Sequence, residues 1–126
     1  MNDIRVFKCK GCANVLLSLR EGPCTPRCCG EPMELLVAGS VDAAKEKHVP
    51  EVQVEDGSVY VQVGVVKHPM QDNHSIKFVV LKTDKNLQVK TLQPGQEPEA
   101  SFVLDGEKPE AVYEFCDLHG LWKKEL

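Results

Sequence analysis

No apolar run in this 126-residue sequence approaches the ~20 residues that a membrane-spanning helix needs. The opening Met-Asn-Asp-Ile-Arg does not read as a secretion signal, so the expected compartment is the cytoplasm. No basic stripe is present either. The net charge is −4, with Lys and Glu mixed along the chain, which argues against a nucleic-acid partner. It also means that an anionic substrate meets overall repulsion unless lysines gather at its site. No internal repeat and no low-complexity tract is visible. Histidine is scarce, with four residues, and no methionine follows the last of them.

The hydrophobic share of 42% and the aromatic share of 6% are ordinary for a soluble protein. A chain of this length buries roughly two-thirds of its unfolded surface, enough for one core plus a small appendage. The six cysteines are spread unevenly: Cys9, Cys12, Cys24, Cys28 and Cys29 lie near the start, and Cys116 stands alone. In a reducing compartment such a pattern points to metal ligation rather than to disulfides.

Val6-Phe7-Lys8-Cys9 reads as a short strand running into Cys9-Lys10-Gly11-Cys12, which has the spacing of a metal knuckle. Val15–Leu19 is apolar and extended, and Met33–Val37 is a further short strand. A segment under forty residues rarely folds on apolar burial alone. A tetrathiolate site from Cys9, Cys12, Cys28 and Cys29 would supply what it lacks. Zinc in a structural ribbon competes with iron here; adjacent cysteines as co-ligands are unusual in zinc ribbons and favour iron. Cys24 is left over, either as a free thiol or as a competitor of Cys28.

Ala38-Gly39-Ser40 reads as a hinge, dividing residues 1–37 from 38–126. Val41–Lys47 is polar, a helical turn or a loop. Period-two runs follow at Glu51–Glu55, Val59–Val66, Ile76–Lys82, Leu87–Leu92, Ala100–Leu104 and Ala111–Phe115, with turn signals such as Asp56-Gly57 between them. The chain is therefore expected to be all-β, a small metal-binding domain followed by an antiparallel β-sandwich.

His48 is expected in a loop before Pro50, His68 at a strand end before Pro69, and His74 in the next loop. Cys116 and His119 follow the last long strand in a Cys-x-x-His arrangement, and such ends are where sandwiches build sites. We expect all four histidines and Cys116 to share one metal. Blue copper needs two histidines and commonly a nearby methionine, and zinc prefers four ligands. Five N/S ligands leave one position open on an octahedral ion, which suits iron; an axial thiolate would push electron density toward whatever binds opposite it.

These residues, in this order, resemble the desulfoferrodoxin family, the two-iron form of superoxide reductase. The resemblance rests on Cys9-x-x-Cys12 with Cys28-Cys29-Gly30-Glu31-Pro32-Met33, on Ala44-Lys45-Glu46-Lys47-His48-Val49-Pro50, on His68-Pro69-Met70 with His74, and on Cys116-x-Leu118-His119-Gly120-x-Trp122. It implies a desulforedoxin-like domain over residues 1–37 with a tetracysteine iron, and an immunoglobulin-like domain over 38–126. In the second, His48, His68, His74 and His119 would be equatorial iron ligands and Cys116 the axial one. Glu46 would occupy the sixth position of oxidised iron, and Lys47 would lie beside the open face. The implied reaction is one-electron reduction of superoxide to hydrogen peroxide, with rubredoxin-type donors and a homodimeric assembly. Ser75 stands where the family often has a bulky aromatic, so looser packing beside His74 is expected. A pure electron carrier, a non-catalytic metal-binding module and a true dismutase are the competing readings.

Overall fold

The computed structural model describes residues 3–40 and 43–126. The chain divides into two units, Met1–Val37 and Ala38–Leu126. In the first, β1 (Arg5–Lys8) lies between β2 (Val15–Ser18) and β5 (Glu34–Leu35), both antiparallel to it. The core beneath this sheet is small: Phe7, Cys9 and Met33, with Cys28 packed against them. Two of those four side chains are thiols, so apolar burial alone gives this unit little stability.

A second hairpin, β3 (Arg27–Cys28) and β4 (Glu31–Pro32), pairs Cys28 with Glu31. Its two-residue loop is Cys29-Gly30, with φ of 52° and 78°. Positive φ at both central positions is the geometry that matches the twist of a tight hairpin. A non-glycine residue pays for it with about 1–2 kcal/mol of backbone strain, so Cys29 is held there by its surroundings.

The second unit opens with a single helical turn, α1 (Lys45–His48). Of the polar segment expected as helical turn or loop, Val41 and Asp42 lie outside the described residues. Seven strands follow: β6 (Pro50–Glu55), β7 (Ser58–Val63), β8 (Ile76–Thr83), β9 (Leu87–Thr91), β10 (Glu99–Val103), β11 (Pro109–Cys116) and β12 (Gly120–Glu125). They form a three-stranded sheet in the order β10-β7-β6 and a four-stranded sheet in the order β12-β11-β8-β9. All pairings are antiparallel.

Alternation decides which face is buried. Val59, Val61 and Val63 of β7 and Phe102 of β10 meet Val79 and Leu81 of β8 and Val112 of β11 in one apolar cluster. Cys116, at the end of β11, belongs to that cluster and is fully buried. This is the expected immunoglobulin-like sandwich. The Asp56-Gly57 turn joins β6 to β7 with φ of 44° and 79°.

Three details differ from expectation. The run expected to continue to Val66 leaves the sheet at Val63, so His68 lies in the following loop and does not end a strand. His48 closes α1 and is not in a loop. Cys116 is the last residue of β11, and a further strand, β12, returns beside it with Cys116 opposite Gly120. The sequence of β12, Gly-Leu-Trp-Lys-Lys-Glu, hides its strand character because Leu121 and Trp122 are both buried and break the alternation.

Leu81 has no exposed surface and sits at the centre of the sandwich. We expect Leu81→Ala to destabilise the protein by about 2–5 kcal/mol, read from its urea midpoint. A loss below ~1 kcal/mol would mean that this core closes around the gap.

Candidate metal centres

The first cluster gathers Cys9, Cys12, Cys28 and Cys29. Cys9 and Cys12 come from the turn after β1, and Cys28 and Cys29 from the tip of the β3–β4 hairpin. The tight turn at Cys29-Gly30 is how two adjacent residues reach one point. Cys12 Sγ and Cys28 Sγ are 3.7 Å apart. Sulfurs about 2.3 Å from a tetrahedral centre are about 3.8 Å from one another, so the spacing fits a bound ion.

Backbone amides face the sulfurs: Gly11 N–H donates to Cys9 Sγ (3.3 Å) and Asn14 N–H to Cys12 Sγ (3.4 Å). A Cβ at Gly11 would lie 3.0 Å from Cys29 Cβ, which leaves little room for any other residue. The Gly11 amide is the main reason the Cys9 thiol is held down at about 7. Neighbouring sulfurs, Cys9 first, push Cys29 up to about 12. Four thiols so close do not ionise together without a cation. Cys24 lies exposed in the loop between β2 and β3, outside this cluster.

The second cluster brings together His48, His68, His74, Cys116 and His119, with all five ligand atoms within 4.8 Å of one another. The four rings form a square. Around its perimeter, His48–His68, His68–His74, His74–His119 and His119–His48 have centroids 4.7, 4.7, 5.0 and 4.9 Å apart, each pair nearly perpendicular. His48 and His74 face each other across it at 6.5 Å, inclined by only 29°. The donor atoms repeat the pattern: His48 Nε2 is 3.1 Å from His119 Nδ1 and 3.2 Å from His68 Nε2. Nitrogens about 2.1 Å from an ion at the centre of a square are about 3.0 Å from their neighbours, so these distances fit. Cys116 Sγ lies 4.0 Å from His119 Nδ1.

Backbone carbonyls fix two of the tautomers. His48 Nδ1–H donates to the Ala44 carbonyl (2.7 Å) and His68 Nδ1–H to the Pro69 carbonyl (2.6 Å). A carbonyl can only accept, so both protons sit on Nδ1 and both Nε2 atoms present lone pairs. Two lone pairs 3.2 Å apart repel unless a cation lies between them. His74 Nε2 is buried with no protein partner. Burial pushes the Cys116 thiol up to about 11, against the pull of the Leu118 and His119 amides. A metal ion would satisfy every one of these orphaned or mismatched groups, and a set of imidazoles with one thiolate suits iron.

The ligands sit on rigid supports. The β8–β11 pairing carries an irregularity between Phe115 and Cys116, so that Cys116 meets Ile76. Such bulges re-aim side chains next to sites. Ser75 N–H donates to the Asp117 carboxylate (3.0 Å) and Asp117 N–H to the Ser75 carbonyl (3.2 Å), clasping the His74 loop to the Cys116 turn. Ser75 is fully buried, with its hydroxyl unpartnered. Neither Asp117 nor this clasp stood out in the sequence, where an aspartate in a turn carries no metal signal.

Glu46 and Lys47 are exposed residues of α1, immediately before His48. The loop after β7 braces them: Val66 N–H donates to the Glu46 carbonyl (2.9 Å), and a Cβ at Gly64 would lie 2.5 Å from that same oxygen. His74 is lowered below its ordinary value first by burial and then by the His119 ring, and the Lys47 charge acts in the same direction. The Asp117 carboxylate acts the other way, more strongly than Lys47.

A seven-stranded sandwich carrying a four-histidine, one-cysteine cluster, in a chain that also carries a tetracysteine unit, defines a class of non-haem metal protein. The family model described as desulfoferrodoxin matches residues 40–125, and that described as the desulfoferrodoxin N-terminal domain matches residues 1–36. The chain is 42% identical to a desulfoferrodoxin of Desulfarculus baarsii, over 97% of this chain and 96% of the relative. It is likewise 42% identical to one of Nitratidesulfovibrio vulgaris, over 98% of each. The superoxide reductase of Treponema pallidum superposes with a TM-score of 0.83 at 36% identity, covering 98% of this chain and 100% of that one. The 1Fe superoxide reductase of Giardia intestinalis gives 0.57 at 31% identity, covering 65% and 100%. The chain belongs to the desulfoferrodoxin family.

Burial holds His68 at about 4, against an ordinary value of 6.5, and lowers His48 as well. As pH falls through that window the unfolded chain takes up protons that the folded chain refuses, so folding weakens. We expect the urea midpoint of the metal-free chain, followed by Trp122 fluorescence, to drop as pH falls from about 6.5 toward about 4, and these histidines to add no slope above pH 7.5. An unchanged midpoint between pH 7.5 and pH 5 would contradict the neutral, buried imidazoles.

Proposed function

We propose that this chain is a superoxide reductase, with its reaction at the His48, His68, His74, His119 and Cys116 cluster and an iron–tetracysteine centre in the first unit. The observation that carries the reading is the square of imidazoles with one sulfur, in a chain of the desulfoferrodoxin family whose structural neighbours include superoxide reductases. The Giardia neighbour supports assigning the reaction to the second unit, because 65% of this chain is more than residues 1–37 can supply.

Iron held by that cluster would supply one electron to superoxide, which with two protons becomes hydrogen peroxide. The chain's own residues set the rest. Superoxide is an anion approaching a protein of net charge −4, so a local cation is needed to draw it in. Lys47 is exposed, and its charge is felt at His74. It attracts the anion and can order the water that delivers protons. Glu46, its neighbour, is a carboxylate that could serve as a further ligand to the oxidised iron; its charge acts on His48. Four imidazole nitrogens and the Cys116 sulfur would hold that iron.

The first centre, with amides aimed at its sulfurs, suits electron storage or transfer. A rubredoxin-type protein is the donor this reading calls for, and a homodimer in the cytoplasm is the assembly it favours. Among the described residues no helix is long and apolar enough to cross a membrane.

Mixing the pre-reduced chain with superoxide is the direct test: we expect one peroxide per superoxide consumed and no release of oxygen. Oxygen evolved at half the rate of superoxide loss would instead indicate a dismutase. Replacing Lys47 by Ile should lower the second-order rate ~10-fold or more at low salt and flatten its ionic-strength dependence, with iron content unchanged. Identical low-salt kinetics would remove Lys47 from the mechanism.

A further inference from the structure

Trp122 is the only tryptophan of the chain, is buried, and has no place in the ligand set. Its surroundings are nevertheless those of the second centre. The indole lies against the His48 ring, with centroids 5.0 Å apart and planes inclined by 29°. Its Nε1–H donates to the backbone carbonyl of His119 at 3.0 Å. One side chain thus touches two ligands that are 71 residues apart in sequence.

The strand pairing explains how it gets there. After the turn Asp117-Leu118-His119, β12 runs back along β11 with Gly120 opposite Cys116 and Trp122 opposite Glu114. Directly opposed residues of an antiparallel pair point to the same side, and so do residues two apart in one strand. Trp122 and Cys116 therefore share a face. Gly120, with φ of 81°, makes the reversal that sets this register. His119 and His48 need such help: His119 belongs to a turn and is half-exposed, and His48 belongs to a helix of a single turn.

We propose that Trp122 is a positioning residue of the metal centre. Its ring face fixes the plane of His48, and its N–H pins the His119 carbonyl so that His119 Nδ1 points into the square. Groups that orient metal ligands from outside the coordination sphere commonly change metal affinity by about 10–100-fold when removed. The inference rests on the metal centre of the preceding reading but not on its reaction with superoxide.

The test uses the full chain loaded with iron and follows loss of the second centre's absorption in excess chelator, together with the position of the sulfur-to-iron band of the oxidised form. Trp122→Phe keeps an aromatic face and removes the donor; Trp122→Leu removes both. We expect release to quicken about 10-fold in the Phe variant and toward ~100-fold in the Leu variant, with the band displaced in each. Trp122→Phe with unchanged release and an unmoved band, whatever its melting temperature, would overturn the proposal and leave Trp122 as core packing. That result decides the matter even if Trp122→Leu does not fold. Failure of the unaltered chain to hold iron at the histidine cluster is a separate outcome: it would overturn the centre itself, and with it this role.

Discussion

Two imidazole lone pairs aimed at each other across 3.2 Å, with a third buried ring nitrogen unpartnered and a buried thiol beside them, cost stability that a cation between them would return. Everything in the second unit is arranged so that this repulsive set persists. The carbonyls of Ala44 and Pro69 fix the tautomers, the Ser75–Asp117 clasp ties two loops together, and β12 carries Trp122 against His48. A rigid sandwich is what such a constraint requires: Cys116 ends a packed strand, and the loop that carries His74 is tied to the Cys116 turn, so these groups cannot swing apart to relieve it. The fold's apolar cluster reaches to Cys116 itself, so the sulfur is anchored by the core.

The first unit solves the same problem at smaller scale. Its core is too slight to hold four sulfurs together on apolar burial, and it relies on turn geometry. The left-handed conformation at Cys29 folds two consecutive thiols around one point, and Gly11 leaves room for them. Here the metal and the fold are mutually dependent, since a site that forms only when folded lends its binding energy to folding.

Much of this was legible in the sequence, for identifiable reasons. Histidine is scarce, and the Cys9-x-x-Cys12 and Cys116-x-x-His119 spacings mark these residues as ligands, so their clustering in space could be inferred from chemistry. The alternation of Val59, Val61 and Val63 announced a buried strand face, and Asp56-Gly57 announced its turn. What could not be read was of three kinds. Strand β12 was hidden by two consecutive buried residues, Leu121 and Trp122, followed by charges. The end of β7 at Val63 depends on the loop's bonds to α1, such as that from Val66 to Glu46, which no local pattern encodes. Glu114, fully buried with both carboxylate oxygens unpartnered, looks in sequence like an ordinary outward residue of a strand, yet burial drives its pKa well above the usual carboxylate range.

The two clusters call for two iron ions per chain, one of them in the histidine square with Cys116. The most direct measurement is the iron and zinc content of the purified chain, taken with its visible spectrum before and after oxidation. Two irons per chain are expected, with a sulfur-to-iron charge-transfer band that grows on oxidation and is lost in Cys116→Ser. A chain with zinc in either cluster, or an oxidised spectrum that Cys116→Ser leaves untouched, would contradict that assignment.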